Sequence, residues 1–82
     1  MKTTVEISKY PLNEDYEPPI LDFISRLKNN KNLTLKTNAT STQITGNYEE
    51  VMGILQKEIK TSFEKYGKAI FVMKVLMGDL DI

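Results

Sequence analysis

The sequence predicts an α+β fold in which four strands and two helices follow one another as βαββαβ. Three observations carry this. Residues 3–10 and 69–77 place apolar residues at alternate positions, and two segments between them repeat apolar residues at helical spacing. The stretch Ser41-Thr42-Gln43-Ile44-Thr45-Gly46-Asn47 reads as a hydroxyl-rich strand that turns directly into a helix.

Thr3 to Tyr10 forms the first strand, with Val5 and Ile7 on one face and Glu6, Ser8 and Tyr10 on the other; Pro11 ends it. An acidic loop, Asn13-Glu14-Asp15, leads to Pro18-Pro19. Prolines are tolerated in a first helical turn because the N–H groups there have no intrahelical acceptor. The first helix runs to about Lys28, and Ile20, Phe23, Ile24 and Leu27 make its core-facing stripe. Asn29 to Asn32 is a polar stop. A second strand, Leu33 to Thr37, and a third, Ser41 to Thr45, form a hairpin through Asn38 and Ala39.

Gly46 supplies free dihedrals at the corner, and Asn47 caps the second helix. Its side chain is expected to accept from the Glu50 N–H while the Glu50 carboxylate reaches back, a capping box in its Asn variant. That helix spans Tyr48 to Tyr66. Tyr48, Val51, Leu55, Ile59 and Phe63 lie along one side, Met52, Ile54 and Tyr66 widen the stripe, and Lys57, Glu58, Lys60, Glu64 and Lys65 make a solvated face. Gly67 follows as the helix stop, and Lys68 to Met77 is the last strand.

This order is the split βαβ arrangement of a ferredoxin-like sandwich, a four-stranded antiparallel sheet with two helices on one face. The opposite face is left open. Strand four is apolar on both sides, with Ala69, Phe71, Met73, Val75 and Met77 on one and Ile70, Val72 and Leu76 on the other. A strand of that kind is usually covered twice, so a homodimer or homotetramer formed through strand four and the open face is expected.

Residues 1–82 read as a single domain without repeats or linkers, small enough to bury only about 60–65% of its unfolded surface. Eleven basic and eleven acidic residues give zero net charge, so nothing draws the chain to nucleic acid, and an RNA-binding aromatic pattern is absent. No Cys or His is present, which excludes disulfides, thiol nucleophiles and imidazole bases or metal ligands. An acylphosphatase-like enzyme would need an anion-gripping arginine, and the one arginine, Arg26, lies on helix one. No apolar run is long enough to span a bilayer, and the N-terminus lacks a leader, so no membrane insertion and a cytoplasmic location are expected.

Three short motifs occur in register. Ser8-Lys9-Tyr10-Pro11-Leu12 followed by the acidic loop, Lys36-Thr37-Asn38, and Ser41-Thr42-Gln43-Ile44-Thr45-Gly46 before the helix resemble, in order and spacing, the YkoF-like thiamine and hydroxymethylpyrimidine-binding domain. The resemblance implies a dimer-forming, non-catalytic domain that binds the aminopyrimidine of thiamine or its precursor, with no cofactor. It puts Tyr10, Asn38, Ser41 and Thr42 at the ligand, Tyr10 by stacking and the others by hydrogen bonds. The chain departs from the family pattern at Asn38 and Thr45, where members carry acids. A carboxylate is the stronger partner for an aminopyrimidine edge, so another acceptor has to be found. Glu6, mid-strand, could supply the missing carboxylate from the uncovered face, though it reads more simply as an exposed sheet charge. The competing reading is an oligomerising regulatory or protein-interaction module that uses the open sheet face and takes no thiamine ligand.

Overall fold

The computed structural model describes all 82 residues, Met1–Ile82. Six elements follow in the expected order: β1 Lys2–Pro11, α1 Glu17–Lys28, β2 Thr34–Thr37, β3 Thr42–Asn47, α2 Tyr48–Tyr66 and β4 Ala69–Met77. The sheet is antiparallel throughout with strand order β2-β3-β1-β4, and both helices lie on one face, a ferredoxin-like βαββαβ fold.

The core sits between that face and the helices. Val5 and Ile7 from β1, Ile44 from β3, Phe23 and Leu27 from α1, and Val51 and Leu55 from α2 are the buried apolar residues. Burial of each contributes roughly 1.5–3 kcal/mol. Leu33, Leu35, Ile59 and Phe71 pack around them half-buried.

Gly46 differs from expectation in its reason. Its φ is not positive; it lies within β3, and a Cβ there would sit 3.1 Å from Val51 Cγ2 and 3.2 Å from Leu33 Cδ2. Glycine is needed for close approach, not for turning. The corner is made by Asn47, whose side-chain oxygen accepts from the N–H groups of Glu49 (3.1 Å) and Glu50 (3.4 Å). The reciprocal arm from the Glu50 carboxylate is not made, so this is a simple N-cap. Gly67, at φ +83°, closes α2 as expected, its N–H donating to the Phe63 carbonyl at 2.9 Å.

The two helices are joined by ions, which corrects the reading of Glu58 as solvated. Glu58 is 8% exposed and Ser62 1% exposed, and both face α1. The Arg26 guanidinium donates to the Glu58 carboxylate at 2.5 Å, to the Glu58 carbonyl at 3.0 Å, to Ser62 Oγ at 2.6 Å and to Asp22 at 2.9 Å. Lys65 reaches the other Asp22 oxygen at 3.2 Å. Of the α2 apolar stripe, Val51 and Leu55 are buried while Tyr48 and Phe63 are exposed.

β4 is an edge strand. In the single chain Ile70 and Val72 are 50% and 54% exposed on the open face, and Val75 and Met77 are exposed on the helix side, beyond the reach of α2. The open face is polar at its centre, where Glu6 pairs with Lys74 at 2.9 Å. After β4 the chain folds back over its lower end: Thr4 Oγ1 donates to the Gly78 carbonyl at 2.8 Å and accepts from the Leu80 N–H at 2.9 Å. No helix is long and apolar enough to cross a membrane.

Candidate functional site

β1 outruns its neighbour. It pairs with β4 as far as Pro11 opposite Ala69, but with β3 only as far as Ile7 opposite Thr42. Pro11 therefore lies inside the strand instead of ending it, and the Leu12 N–H still donates to the Lys68 carbonyl at 3.3 Å. Past Ile7 the sheet parts, and a half-enclosed cavity of about 410 Å³ opens between the end of β1, the β2–β3 hairpin and α1.

Its apolar side is built by Ile7 from the sheet and by Ile20, Phe23 and Ile24 from α1. Expected as core, Ile20 and Ile24 are only half-buried because they roof this space. Its polar side comes from the end of β1 and from the hairpin. Tyr10, Asn38, Ser41 and Thr42, four residues from two segments about 30 positions apart, all line it.

They do not contribute alike. Asn38 holds the hairpin turn: its side-chain oxygen accepts from the N–H groups of Thr40 (3.0 Å) and Ser41 (2.9 Å), while its own N–H donates to the Ser41 carbonyl at 3.0 Å. This Asx turn uses up the acceptor, leaving the amide NH₂ for other partners. Ser41 Oγ turns to the open sheet face and donates to Glu6 at 3.2 Å. The same hydroxyl also lies 3.3 Å from Asn38 Oδ1. Thr42 is 4% exposed, and its hydroxyl takes part in none of the chain's side-chain hydrogen bonds. No side-chain polar atom in the chain is both sealed from solvent and unpartnered, so that hydroxyl opens on the cavity floor. Tyr10 is exposed at the rim.

No carboxylate lines the cavity. Glu6 is directed to the open face, where the hydrogen bond and charge of Lys74 hold its carboxyl below the ordinary value, with a smaller push from Ser41. Lys9 is the one cation in the lining, and its side chain runs beneath the helices. Its ammonium donates to the Pro19 carbonyl at 3.0 Å and lies 5.3–5.7 Å from the ring centres of Phe23, Tyr66 and Phe71. Burial first, and then the Arg26 charge, push its pKa down against the pull of Asp22.

Reading the sequence left Lys9, Thr37 and Tyr16 out of this site, although all three line it. The signal for Lys9 was its place in an alternating strand among core residues, where a long polar side chain has to find acceptors.

No protein-family model matches the sequence, and no curated protein does either. Solved structures do. Protein SP2199 from Streptococcus pneumoniae is 20% identical with a TM-score of 0.87, over 98% of this chain and 90% of that one. TM0486 from Thermotoga maritima, described as a candidate thiamine biosynthesis/salvage protein, is 18% identical with a TM-score of 0.82, over 92% of this chain and 82% of that one. A domain of unknown function, DUF77, from Bacillus cereus is 11% identical with a TM-score of 0.74, over 95% and 77%. At identities this low the likeness shows the architecture, and what this chain shares with all three is the ferredoxin-like βαββαβ fold.

Proposed function

We propose that this protein binds thiamine or its hydroxymethylpyrimidine precursor in the cavity at the end of β1, in salvage or transport in the cytoplasm, and performs no chemistry on it. One observation carries the reading. The cavity, of about 410 Å³, is apolar along Ile7, Ile20, Phe23 and Ile24, and Tyr10, Asn38, Ser41 and Thr42 border it on the other side. The structural likeness to a candidate thiamine salvage protein and the in-register YkoF-like motifs support the choice of ligand. The absence of His and Cys from the chain supports binding over catalysis.

Thermal unfolding with thiamine, its phosphates and hydroxymethylpyrimidine tests this. Ligand at about 100 times its Kd stabilises by roughly 2.7 kcal/mol. In a domain of this size that raises Tm by about 10–20 °C. No shift with any of these removes the ligand from the proposal.

A second observation favours self-association, whether or not a ligand is bound. A nine-residue edge strand with exposed Ile70, Val72, Val75 and Leu76 is a template for another chain unless something covers it. We propose that a second copy does, giving a homodimer or homotetramer through β4 and the open face. Sedimentation over a hundredfold range of concentration should show a species heavier than 9.4 kDa. A strict monomer that also binds no ligand would leave the edge for a different protein, the interaction-module reading.

A further inference from the structure

The gap in the sheet is specific in what it exposes. On β1 the odd-numbered residues direct their backbone N–H and C=O toward β3 and the even-numbered ones toward β4. The bonds at the ends fix this parity. Tyr48 N–H donates to the Met1 carbonyl at 2.8 Å on the β3 side, while Gly78 N–H donates to the Lys2 carbonyl at 2.8 Å on the β4 side. Thr3 with Gly46, Val5 with Ile44 and Ile7 with Thr42 are the successive β3-side rungs. The next would join Lys9 to Thr40.

That rung is missing because Thr40 is already engaged. Its N–H donates to Asn38 Oδ1 at 3.0 Å, and its carbonyl accepts from Ser8 Oγ at 3.0 Å. The Lys9 N–H and C=O are left side by side with no partner, and Lys9 lines the cavity. The next odd position is Pro11, which has no N–H to orphan. Near them the Thr42 hydroxyl is also unclaimed, on a residue 4% exposed.

We infer that the Lys9 backbone N–H and C=O are the specificity edge of this cavity and take a planar heterocycle whose ring nitrogen accepts and whose adjacent amino group donates. The inference rests on the small-molecule reading of the same site. One extended residue shows its donor and acceptor in one plane and one direction, and the amidine-like edge of an aminopyrimidine shows the complementary pair. The Lys9 carbonyl thereby supplies the acceptor for which no carboxylate is available. The Thr42 hydroxyl bonds a ring substituent from the floor. A heterocycle without the amino group leaves the Lys9 carbonyl with no donor and binds more weakly.

Calorimetric titration of hydroxymethylpyrimidine, and of its analogues with hydrogen or methyl in place of the amino group, tests this on the intact chain. The analogues should bind at least about tenfold more weakly, the value of one hydrogen bond. In parallel, Lys9→Pro deletes an N–H on which no ladder bond depends, while Lys9→Ala deletes only the side chain. Lys9→Pro should bind at least about tenfold more weakly than Lys9→Ala. Should Lys9→Pro fail to fold, the analogue series decides alone. Tight binding of the parent with equal binding of the analogues, or of the two variants, overturns the edge and leaves the site standing. No binding of the parent overturns both.

Discussion

The two ends of β1 are built from similar residues and do opposite things. At the Lys2–Ile7 end the strand is paired on both sides, and both of its own hydroxyls are bonded: Thr3 Oγ1 donates to the Leu76 carbonyl at 2.6 Å, and Thr4 Oγ1 bonds both Gly78 and Leu80. At the Ser8–Pro11 end it is paired only with β4, and the Thr42 hydroxyl and Lys9 backbone face open space. One strand is thus satisfied along both edges at one end and along a single edge at the other. The difference arises in the hairpin, where two side chains, Asn38 and Ser8, take the bonds that would have extended the ladder.

The largest way to break the comparison is to loosen the roof both ends share. α1 covers the cavity and α2 covers the closed end, and Arg26 holds them together. Arg26→Ala leaves the buried Glu58 carboxylate uncompensated, and denaturant unfolding should register a loss of about 3–5 kcal/mol. Next come two neighbouring positions on the same face of β3. Ile44→Ala, in the closed half, should cost about 2–5 kcal/mol. Thr42→Val should change stability by less than about 1 kcal/mol, since its hydroxyl has no partner to lose. It should nonetheless weaken ligand binding measured by calorimetry; equal stability losses at the two sites would contradict the contrast.

Gly46→Ala should cost about 1–3 kcal/mol by crowding Val51 and Leu33. Thermal melts can rank it against Ile44→Ala. The smallest effect is in acid. Burial raises the Asp22 pKa, but the hydrogen bonds from Arg26 and Lys65 outweigh it and hold the carboxyl below its ordinary value of 3.8. Between the folded and unfolded values the unfolded chain binds more protons, so this stabilisation is present above about pH 4 and is lost as pH falls through the folded value. The advantage of the wild type over Asp22→Asn should shrink over that interval, and a constant difference would exclude the linkage.

Much of this was legible in the chain. Helical spacing, Pro18-Pro19, Asn47 and Gly67 placed both helices, because caps and periodicity are local. Glu58 was misread for the complementary reason. On α2 alone it looks solvated, and only α1 brings Arg26 to it from 32 positions away. Gly46 was assigned the right importance and the wrong cause, since the Val51 and Leu33 atoms it must admit are invisible along the sequence. Asn38 was legible as a turn former, and it lines the cavity with its side-chain oxygen serving the turn.

The sequence by itself determined the order of elements, the antiparallel sheet and the faces of β1, all consequences of backbone preference and side-chain alternation over a few residues. Tertiary structure decided where the β1–β3 ladder stops, because register between strands more than 30 residues apart is set jointly by core packing and by the hairpin's own hydrogen bonds. That stopping point, one rung short, is what separates a closed sandwich from one with a cavity at its end.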